Sequence, residues 1–388
     1  MTHPYDGLTF DELKQRPLLK WRHYDDDVLA MWVADMDFPV ASAVREGIHT
    51  WADSALYGYP EWTGLPGVRE ALVEHLDRTT GWKVTPDQVW LLPGVVPGLF
   101  GAVKAFSSQG DGILASTPLY PPFRMATENQ GRLFQSVDLA QDDTGRYHFD
   151  PAAAEAAVTP ATRLLMLCHP HNPTGRSFER DELEAMADLV NRHRLFAVSD
   201  ELHADLTYDG RHTPFASVNK EAAARTVTLV GPTKAFNLAG LKIGFAVAEN
   251  PEVLDRFKQA MAFVSMPPPS PSQAGARAAY QHGGEWFAST LDYLKGNRDL
   301  IDRFVRERLP DVRLHAPEAT YLAWLDFRKT ALADDPAGML LEHGRLGLND
   351  GTSFGPAGQG FARLNFATAR PLVQEALERI EGVLTSRS

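Results

Sequence analysis

The part of the chain that decides its fold begins RLLMLCHPHNPTG, at residues 163–175. The first six of these residues form a short apolar run that is typical of a buried strand. Residues 183–190 then place apolar side chains at the i, i+3, i+4, i+7 spacing of one helix face, and residues 195–198 read LFAV, a second apolar run. Strand, helix and strand within about 35 residues make a βαβ unit, which predicts a parallel sheet.

Outward from this unit, more short apolar runs predict further strands. They are TVTLV at 226–230, GFAV at 244–247 and VWLL at 89–92. The turn PGVVPG at 93–98 follows the last of these and leads into an apolar helix predicted over 99–106. The sequence shows no internal repeat, so a solenoid or propeller is excluded. The centre of the chain is therefore predicted to be an α/β domain with a mostly parallel sheet.

The two ends of the chain have a different pattern. Long amphipathic helices are predicted at 294–309 and 371–384, with a strand at 321–326 between them. This pattern predicts a second, smaller α+β domain that the N-terminal residues join. The predicted division is a large domain at residues 45–285 and a small domain at residues 1–44 and 286–388.

Composition and charge exclude several classes of protein. The 388 residues are 44% hydrophobic and 23% charged, as in ordinary globular proteins. The net charge is −12 and no long basic run occurs, which argues against nucleic-acid binding. The single cysteine, Cys168, cannot form an intramolecular disulfide. Residues 1–6 lack the pattern of a signal peptide, and the longest apolar stretch, 89–103, is too short to span a membrane, so we expect a cytoplasmic location.

Three polar residues follow predicted parallel strands: Asn172, Asp200 and Lys234. Ligands bind beyond the carboxyl ends of such strands, and the glycine-rich turn at 93–98 could hold a phosphate at a helix N-terminus. A buried acid, a buried amine and a phosphate cradle suit pyridoxal phosphate. Taken singly these signals are weak, because Asp200 could be a helix cap and Lys234 a solvated surface amine.

The sequence motifs around these residues resemble those of a known family. In order along the chain, CHPHNPTG at 168–175, SDELH at 199–203 and TKAFNLAG at 233–240 resemble the class I/II aminotransferase family of pyridoxal-phosphate enzymes, of fold type I. Four more motifs are similar to its MalY/PatB-type cystathionine β-lyase (C–S lyase) branch: MWVADMDF at 31–38, YGYP at 57–60, YLAWLD at 321–326 and GFARLN at 360–365. The resemblance runs from about residue 5 to residue 383.

The resemblance implies roles for residues around the cofactor ring. Lys234 would form the Schiff base with the aldehyde and move the proton of the substrate's α carbon. Asp200 would pair with the pyridinium nitrogen, and Asn172 would donate to the ring 3′-oxygen. His203, expected in the first turn of a helix after Asp200, would support the same edge, and Tyr120 would stack on the ring.

The resemblance also implies contacts to the phosphate and to the substrate. The backbone of Val95 and Val96 and the side chains of Thr233 and Lys242 would hold the phosphate. Arg363 would hold the substrate α-carboxylate in a two-pronged pair.

Two positions near the site are less defined. Asp35 either shapes the substrate entrance, as a substrate-binding residue, or only turns the chain. Many relatives have a serine where this chain has Gly231, so one hydroxyl contact to the phosphate is missing, and Lys242 is a candidate to replace it.

Two further expectations concern partners. Tyr59 would reach the phosphate from a neighbouring subunit, so the active unit is expected to be a homodimer. Cys168, His169 and His171 crowd together but lack the paired spacing of zinc sites, so no metal is predicted.

The leading functional hypothesis is a carbon–sulfur β-lyase that cleaves L-cystathionine or related S-substituted cysteines to a thiol, pyruvate and ammonia. An aminotransferase would use the same residues and is the alternative. A third hypothesis, from a different class, is a regulatory protein that binds pyridoxal phosphate and acts by contact with another protein.

Overall fold

The computed structural model describes residues 3–262 and 266–387. The strands are β1 Leu29–Ala30, β2 Val89–Leu92, β3 Gly112–Thr117, β4 Leu133–Asp138, β5 Ala140–Gln141, β6 Tyr147–His148, β7 Thr162–Cys168, β8 Phe196–Asp200, β9 Thr226–Val230, β10 Gly244–Val247, β11 Leu322–Asp326, β12 Leu346–Gly347, β13 Asn349–Asp350 and β14 Phe361–Asn365. The α-helices are α1 Phe10–Leu13, α2 Leu19–Arg22, α3 Ser42–Asp53, α4 Val68–Thr80, α5 Val95–Phe106, α6 Pro122–Glu128, α7 Pro151–Ala157, α8 Arg180–Arg192, α9 Lys220–Ala223, α10 Pro251–Met261, α11 Ser270–His282, α12 Gly284–Arg308, α13 Pro336–Gly344 and α14 Arg370–Thr385.

A large central sheet within the described residues has the strand order β2-β10-β9-β8-β7-β3-β4. The strands β4, β3, β7, β8 and β9 pair in parallel, whereas β10 is antiparallel to both β9 and β2. Because β10 reverses direction between them, β2 points the same way as β9. The mostly parallel α/β sheet predicted from the sequence is confirmed, and the carboxyl ends of β2, β7, β8 and β9 lie at one edge.

A second, antiparallel sheet has the order β11-β14-β13. The first part of the chain packs on it, since β1 pairs with β12 and residues such as Tyr5, Trp21 and Phe38 share one apolar core with Leu322 and Leu364. The boundaries of two domains at residues 44/45 and 285/286 stay a prediction.

Local expectations from the sequence are met at the strands β2, β7, β8, β9 and β10 and corrected at two helices. Helix α5 begins at Val95 rather than at residue 99, because Gly94 has φ +128° and turns the chain, and Pro97 sits within the first turn, where its missing N–H costs nothing. The proline-rich run PPPSP at 267–271 predicts a rigid loop, but α11 begins at Ser270 and includes Pro271.

None of the helices in the described ranges, 3–262 and 266–387, is both long and apolar enough to cross a membrane.

Candidate active site

A cavity of about 550 Å³ lies at the carboxyl edge of the central sheet, between that sheet and the N-terminal segment. Ten of the residues singled out from the sequence line it: Val95, Val96, Tyr120, Asn172, Asp200, His203, Thr233, Lys234, Lys242 and Arg363. The topology explains this convergence, because strands that run in parallel deliver their following residues to one edge.

Lys234 follows β9 and points into the cavity. Its Nζ donates to the backbone oxygen of Ala34 at 2.5 Å. Burial lowers the pKa of this amine to about 8, against the opposing influence of the Asp35 carboxylate, and the charge of Arg363 lowers it further. An amine with this pKa has a sizeable neutral fraction near neutral pH, which a nucleophile or proton acceptor requires.

Asp200 is the last residue of β8 and is 8% exposed. Its Oδ1 accepts a hydrogen bond from the backbone N–H of Leu202 at 3.1 Å. Burial raises the pKa of this carboxyl to about 7, and the charge of Lys234 acts in the opposite direction. A buried acid of this kind gains most from a cationic partner supplied by a ligand.

Arg363 lies in the middle of β14, and its side chain lines the cavity from the second sheet. Its Nη1 donates to Asn172 Oδ1 at 2.8 Å, and its Nη2 donates to the backbone oxygen of Trp32 at 3.0 Å and to Asn349 Oδ1. Burial lowers the pKa of this guanidinium to about 10, so it remains a cation at neutral pH. The planar guanidinium of Arg363 is therefore held in one orientation at the wall of the cavity.

The turn between β2 and α5, which is expected to hold a phosphate, lines the cavity. Gly94, with φ +128°, precedes Val95, and residues 94–97 at the first turn of α5 line the cavity, where a helix N-terminus favours an anion. A Cβ atom on Gly244 would lie 3.1 Å from the nitrogen of Val95, so β10 packs closely beneath this turn. Thr233 and Lys242 line the cavity beside it.

Tyr120 and His203 line the cavity beside Asn172 and Asp200. Burial raises the pKa of Tyr120 and lowers the pKa of His203 to about 3, so both side chains are neutral. The expectation of a helix after Asp200 was wrong at this point, because His203 precedes only a short 3₁₀ helix, Ala204–Leu206. His203 Nδ1 is buried without a hydrogen-bond partner.

Two of the predicted residues lie outside the cavity lining. Asp35 is not among the lining residues, but it is close enough for its charge to act on Lys234. Tyr59 is 93% exposed on the surface of this chain.

The structure also adds residues that the sequence reasoning did not select. Trp32, Val33 and Ala34 form one wall, and Asn349 and Leu202 contribute to others. The first three lie within the motif at 31–38 and could have been found from it, whereas nothing in the pattern around Asn349 indicates a site.

Cys168, His169 and His171 are each engaged in local contacts. The Cys168 thiol contacts the Pro170 oxygen and the Asn172 nitrogen, and His171 Nδ1 lies 2.9 Å from Thr174 Oγ1. Across the ranges 3–262 and 266–387, no group of three His, Cys, Asp or Glu side chains could hold a metal ion.

Comparison with known proteins agrees with this geometry. Residues 27–380 match the sequence profile of the family described as aminotransferase class I and II. Cystathionine beta-lyase PatB of Bacillus subtilis is 34% identical over 97% of this chain and 100% of its own length. Cystathionine beta-lyase of Corynebacterium glutamicum is 33% identical over 96% of this chain and 98% of its own length.

A solved structure gives the same result for the fold. Cystalysin from Treponema denticola, whose crystal structure contains a pyridoxal 5′-phosphate cofactor, superimposes with a TM-score of 0.93 at 29% identity and covers 100% of both chains. The family profile spans most of the chain, and the two named lyases align with nearly all of it. The chain therefore belongs to the aminotransferase class I and II family.

Proposed function

We propose that this protein is a pyridoxal-phosphate-dependent carbon–sulfur β-lyase that cleaves L-cystathionine or related S-substituted cysteines to a thiol, pyruvate and ammonia. The observation that carries the proposal is the meeting of Lys234, Asp200 and Arg363 in one cavity. The names of the relatives, two of them cystathionine beta-lyases, favour elimination over other reactions of the family.

The residues of the cavity fit the cofactor. Two buried polar atoms among the lining residues, His203 Nδ1 and Arg363 Nε, have no hydrogen-bond partner within the protein. Buried polar groups are nearly always paired, so such atoms indicate a polar ligand. The acid Asp200 supplies the charge partner that a pyridine nitrogen needs, and Lys234 supplies the amine with which an aldehyde forms a Schiff base.

In this proposal each wall of the cavity holds one part of the cofactor. The N–H groups of Val95 and Val96, with Thr233 and Lys242, bind the phosphate. Asp200 binds the ring nitrogen. Asn172 and His203 would contact the edge of the ring that carries the 3′-oxygen, and Tyr120 would stack on the ring.

When bound, pyridoxal phosphate supplies an electron-withdrawing ring that stabilises negative charge on the carbon next to the substrate amine. Asp200 keeps the ring nitrogen protonated, as its buried carboxylate is stabilised by that positive charge. Lys234 Nζ takes the proton from the substrate's α carbon, for which its lowered pKa is suited.

Arg363 and Asn172 orient the substrate. The guanidinium of Arg363 binds the α-carboxylate, and its bonds to Asn172 and to the Trp32 oxygen fix the angle of approach. The remaining walls, including Val33 and Ala34, exclude water from the α carbon. Asp35 lies next to this region, and we propose that it assists substrate binding through its effect on Lys234.

The test is pyruvate release from L-cystathionine by the cofactor-loaded protein, without any keto acid. We expect many turnovers of pyruvate for the native chain and none for Lys234→Ala. Lys104→Ala, on the last turn of α5 and outside the cavity, is the control and should retain full activity. If amino groups are transferred to an added keto acid and no pyruvate forms, the protein is an aminotransferase instead.

We also propose that the active unit is a homodimer in which Tyr59 of one chain reaches the phosphate of the other. The segment around Tyr59 exposes large apolar side chains: Leu56 is 74% exposed, Tyr57 68% and Trp62 51%. Such a patch marks an association surface. Light scattering should give twice the chain mass, and Tyr59→Phe should weaken cofactor binding without changing that mass; a monomer with full activity contradicts the proposal.

A cytoplasmic location stays a prediction.

A further inference from the structure

Side chains of the second sheet hold the segment 32–35, most of which lines the cavity. Each of its four backbone oxygens accepts a hydrogen bond, and the donors are Arg363 Nη2, Asn365 Nδ2 and the Tyr321 hydroxyl. Arg363 and Asn365 lie two residues apart on β14, so they project from the same face of the sheet. Tyr321 directly precedes β11, the partner of β14. The second sheet thus fixes the course of this wall.

The backbone oxygen of Ala34 is the point at which these bonds meet Lys234. Lys234 Nζ donates to this oxygen at 2.5 Å, and the Tyr321 hydroxyl donates to the same oxygen at 3.1 Å. A carbonyl oxygen has two lone pairs and can accept both bonds. Asn365 Nδ2 donates to the oxygens of the residues on either side, at 2.6 Å and 2.7 Å. The protein therefore sets the direction of the Ala34 carbonyl.

Tyr321 itself is not among the residues that line the cavity. It is 1% exposed in the apolar core beside the second sheet, and its ring lies 6.0 Å from the ring of His203, which does line the cavity. Burial raises the pKa of Tyr321 well above its usual range, so the hydroxyl keeps the proton that it donates. Tyr321 can therefore affect a reaction in the cavity only through another group.

We propose that Tyr321 is a positioning residue: its hydroxyl holds the Ala34 carbonyl as the acceptor for the Lys234 amine whenever Lys234 is not bonded to the cofactor. The inference rests on the proposed function, since Lys234 is released when the substrate amine takes its place on the cofactor. A hydrogen bond to the released amine limits the positions that its long side chain can take.

The step that depends on this position is the transfer of the proton from the substrate's α carbon. The C–H bond breaks, its electron pair stays on the α carbon, and the neutral amine of Lys234 gains the proton and becomes an ammonium group. The ammonium group donates to the Ala34 oxygen more strongly than the amine does, because charge-assisted hydrogen bonds are stronger. Since proton transfer requires close alignment, a displaced amine lowers the rate.

The test measures the exchange of the α proton of L-alanine in D₂O by the cofactor-loaded protein, followed by NMR. L-Alanine has an α proton but no leaving group, so proton transfer is observed without elimination. We expect Tyr321→Phe to lower the kcat of exchange about 3- to 10-fold, the value of one hydrogen bond. The KM should stay unchanged, because the bonds of Arg363 do not involve Tyr321.

Tyr208→Phe is the matched control. The Tyr208 hydroxyl donates to the Thr320 oxygen at 2.6 Å in the same apolar core, and neither residue lines the cavity. This substitution removes the same kind of bond without releasing the Ala34 carbonyl, so the kcat and the KM of exchange should both stay unchanged. Equal losses in the two variants, a native kcat in Tyr321→Phe, or a rise of the KM in place of a fall of the kcat overturns the inference.

A second readout is the position of the amine, which does not depend on the rate. A crystal structure of the native chain with L-alanine bound to the cofactor should show Lys234 Nζ within hydrogen-bond distance of the Ala34 oxygen. In Tyr321→Phe the amine should be displaced from this position. If Nζ of the native chain points elsewhere, the inference fails, and this result does not require that the variant folds.

The two proposals can fail separately. If the exchange rates behave as expected but L-cystathionine yields no pyruvate, the lyase assignment fails and the role of Tyr321 stands. If pyruvate forms and Tyr321→Phe exchanges the α proton at the native rate, only the role of Tyr321 fails. A native cofactor-loaded protein that exchanges no α proton overturns both.

Discussion

Arg363 Nη1 donates a hydrogen bond to Asn172 Oδ1 at 2.8 Å, which joins the β11-β14-β13 sheet to the loop that follows β7. The guanidinium has two further acceptors, the Trp32 oxygen and Asn349 Oδ1. These bonds orient its planar fork before any substrate arrives. Preorganisation of this kind reduces the entropy lost on binding.

The first prediction is that Arg363→Lys raises the KM for the amino-acid substrate. Lysine retains the charge but cannot present two parallel donors to a carboxylate. We expect an increase of about 10- to 100-fold, the value of one or two hydrogen bonds to a charged group. Steady-state kinetics of pyruvate release measure it, and the absorbance of the bound cofactor should stay unchanged.

Arg328 is a suitable control for this substitution. It donates to Asp326 Oδ1 at 2.9 Å and to Oδ2 at 2.7 Å, and it lies over the Phe361 ring outside the cavity. Arg328→Lys should leave the KM unchanged. An equal KM increase in both variants would assign the effect to a general loss of packing.

The second prediction concerns the pH dependence of cofactor capture. The amine of Lys234 reacts with an aldehyde only in its neutral form, and burial lowers its pKa to about 8. The rate of covalent uptake by cofactor-free protein should therefore rise as the pH passes through about 8 and then level off. Stopped-flow absorbance measures this rate, and a plateau reached only near the ordinary lysine value of 10.5 would contradict the prediction.

The third prediction separates the two interpretations of Asp35. Its charge raises the pKa of Lys234, so Asp35→Asn should move the midpoint of cofactor capture to lower pH. The exposed Asp26 provides the control, and Asp26→Asn should leave the midpoint in place. If Asp35→Asn changes only the stability, Asp35 turns the chain and has no part in the site.

The site residues found without the resemblance share one property, which is that each follows a predicted strand. Asn172, Asp200 and Lys234 could be placed together because parallel strands end at a common edge. The role of Arg363 was implied by the resemblance instead. The rule that ligands bind beyond the carboxyl ends of parallel strands gives no information about residues of a second, antiparallel sheet.

Apart from Leu202, the residues that were missed come from segments that are distant in the chain from the central sheet. The wall of Trp32, Val33 and Ala34 reaches the cavity through the two-residue pairing of β1 with β12. Pairings this short leave no periodic pattern in the sequence. The late start assigned to α5 has a different cause, because glycine and proline were interpreted as a loop although both occur at a helix start.

The fourth prediction is that a serine at position 231 does not restore the missing phosphate contact. A Cβ atom on Gly231 would lie 3.1 Å from the Ile243 oxygen and 3.3 Å from the Gly244 Cα, and both are backbone atoms. Gly231→Ser should therefore destabilise the fold by about 1–3 kcal/mol. Thermal unfolding measures this, with Gly382→Ser as control because its Cβ would meet nothing within 4 Å. Tighter cofactor binding at an unchanged Tm would contradict the prediction.

The fifth prediction concerns acid stability and begins from Arg176, which is 0% exposed. It contacts the carboxylates of Glu318 and Glu182 and donates to the Tyr147 oxygen at 2.5 Å. Burial alone would raise the pKa of Glu318, but hydrogen bonds from His315 and Arg146 and the charge of Arg176 lower it to about 2.

A carboxyl with a folded pKa below its unfolded value stabilises the fold at neutral pH and loses that contribution as the pH falls. For Glu318 the loss should occur between about pH 4.5 and 2, because the ordinary pKa of the group is about 4.3. Arg176→Met removes part of the cause, so the dependence of the unfolding free energy on pH should become shallower in this range. At pH 7 the variant should lose about 3–5 kcal/mol, since two carboxylates remain without their buried partner.

Urea unfolding at a series of pH values measures both effects. Arg180→Met provides the control, because Arg180 and Glu184 form an ion pair of 2.9 Å on the exposed face of α8. Exposed pairs contribute little, so this variant should stay within about 0.5 kcal/mol of the native chain at every pH. An acid transition that is equally steep in Arg176→Met and in the native chain would show that the charge of Arg176 does not lower the pKa of Glu318.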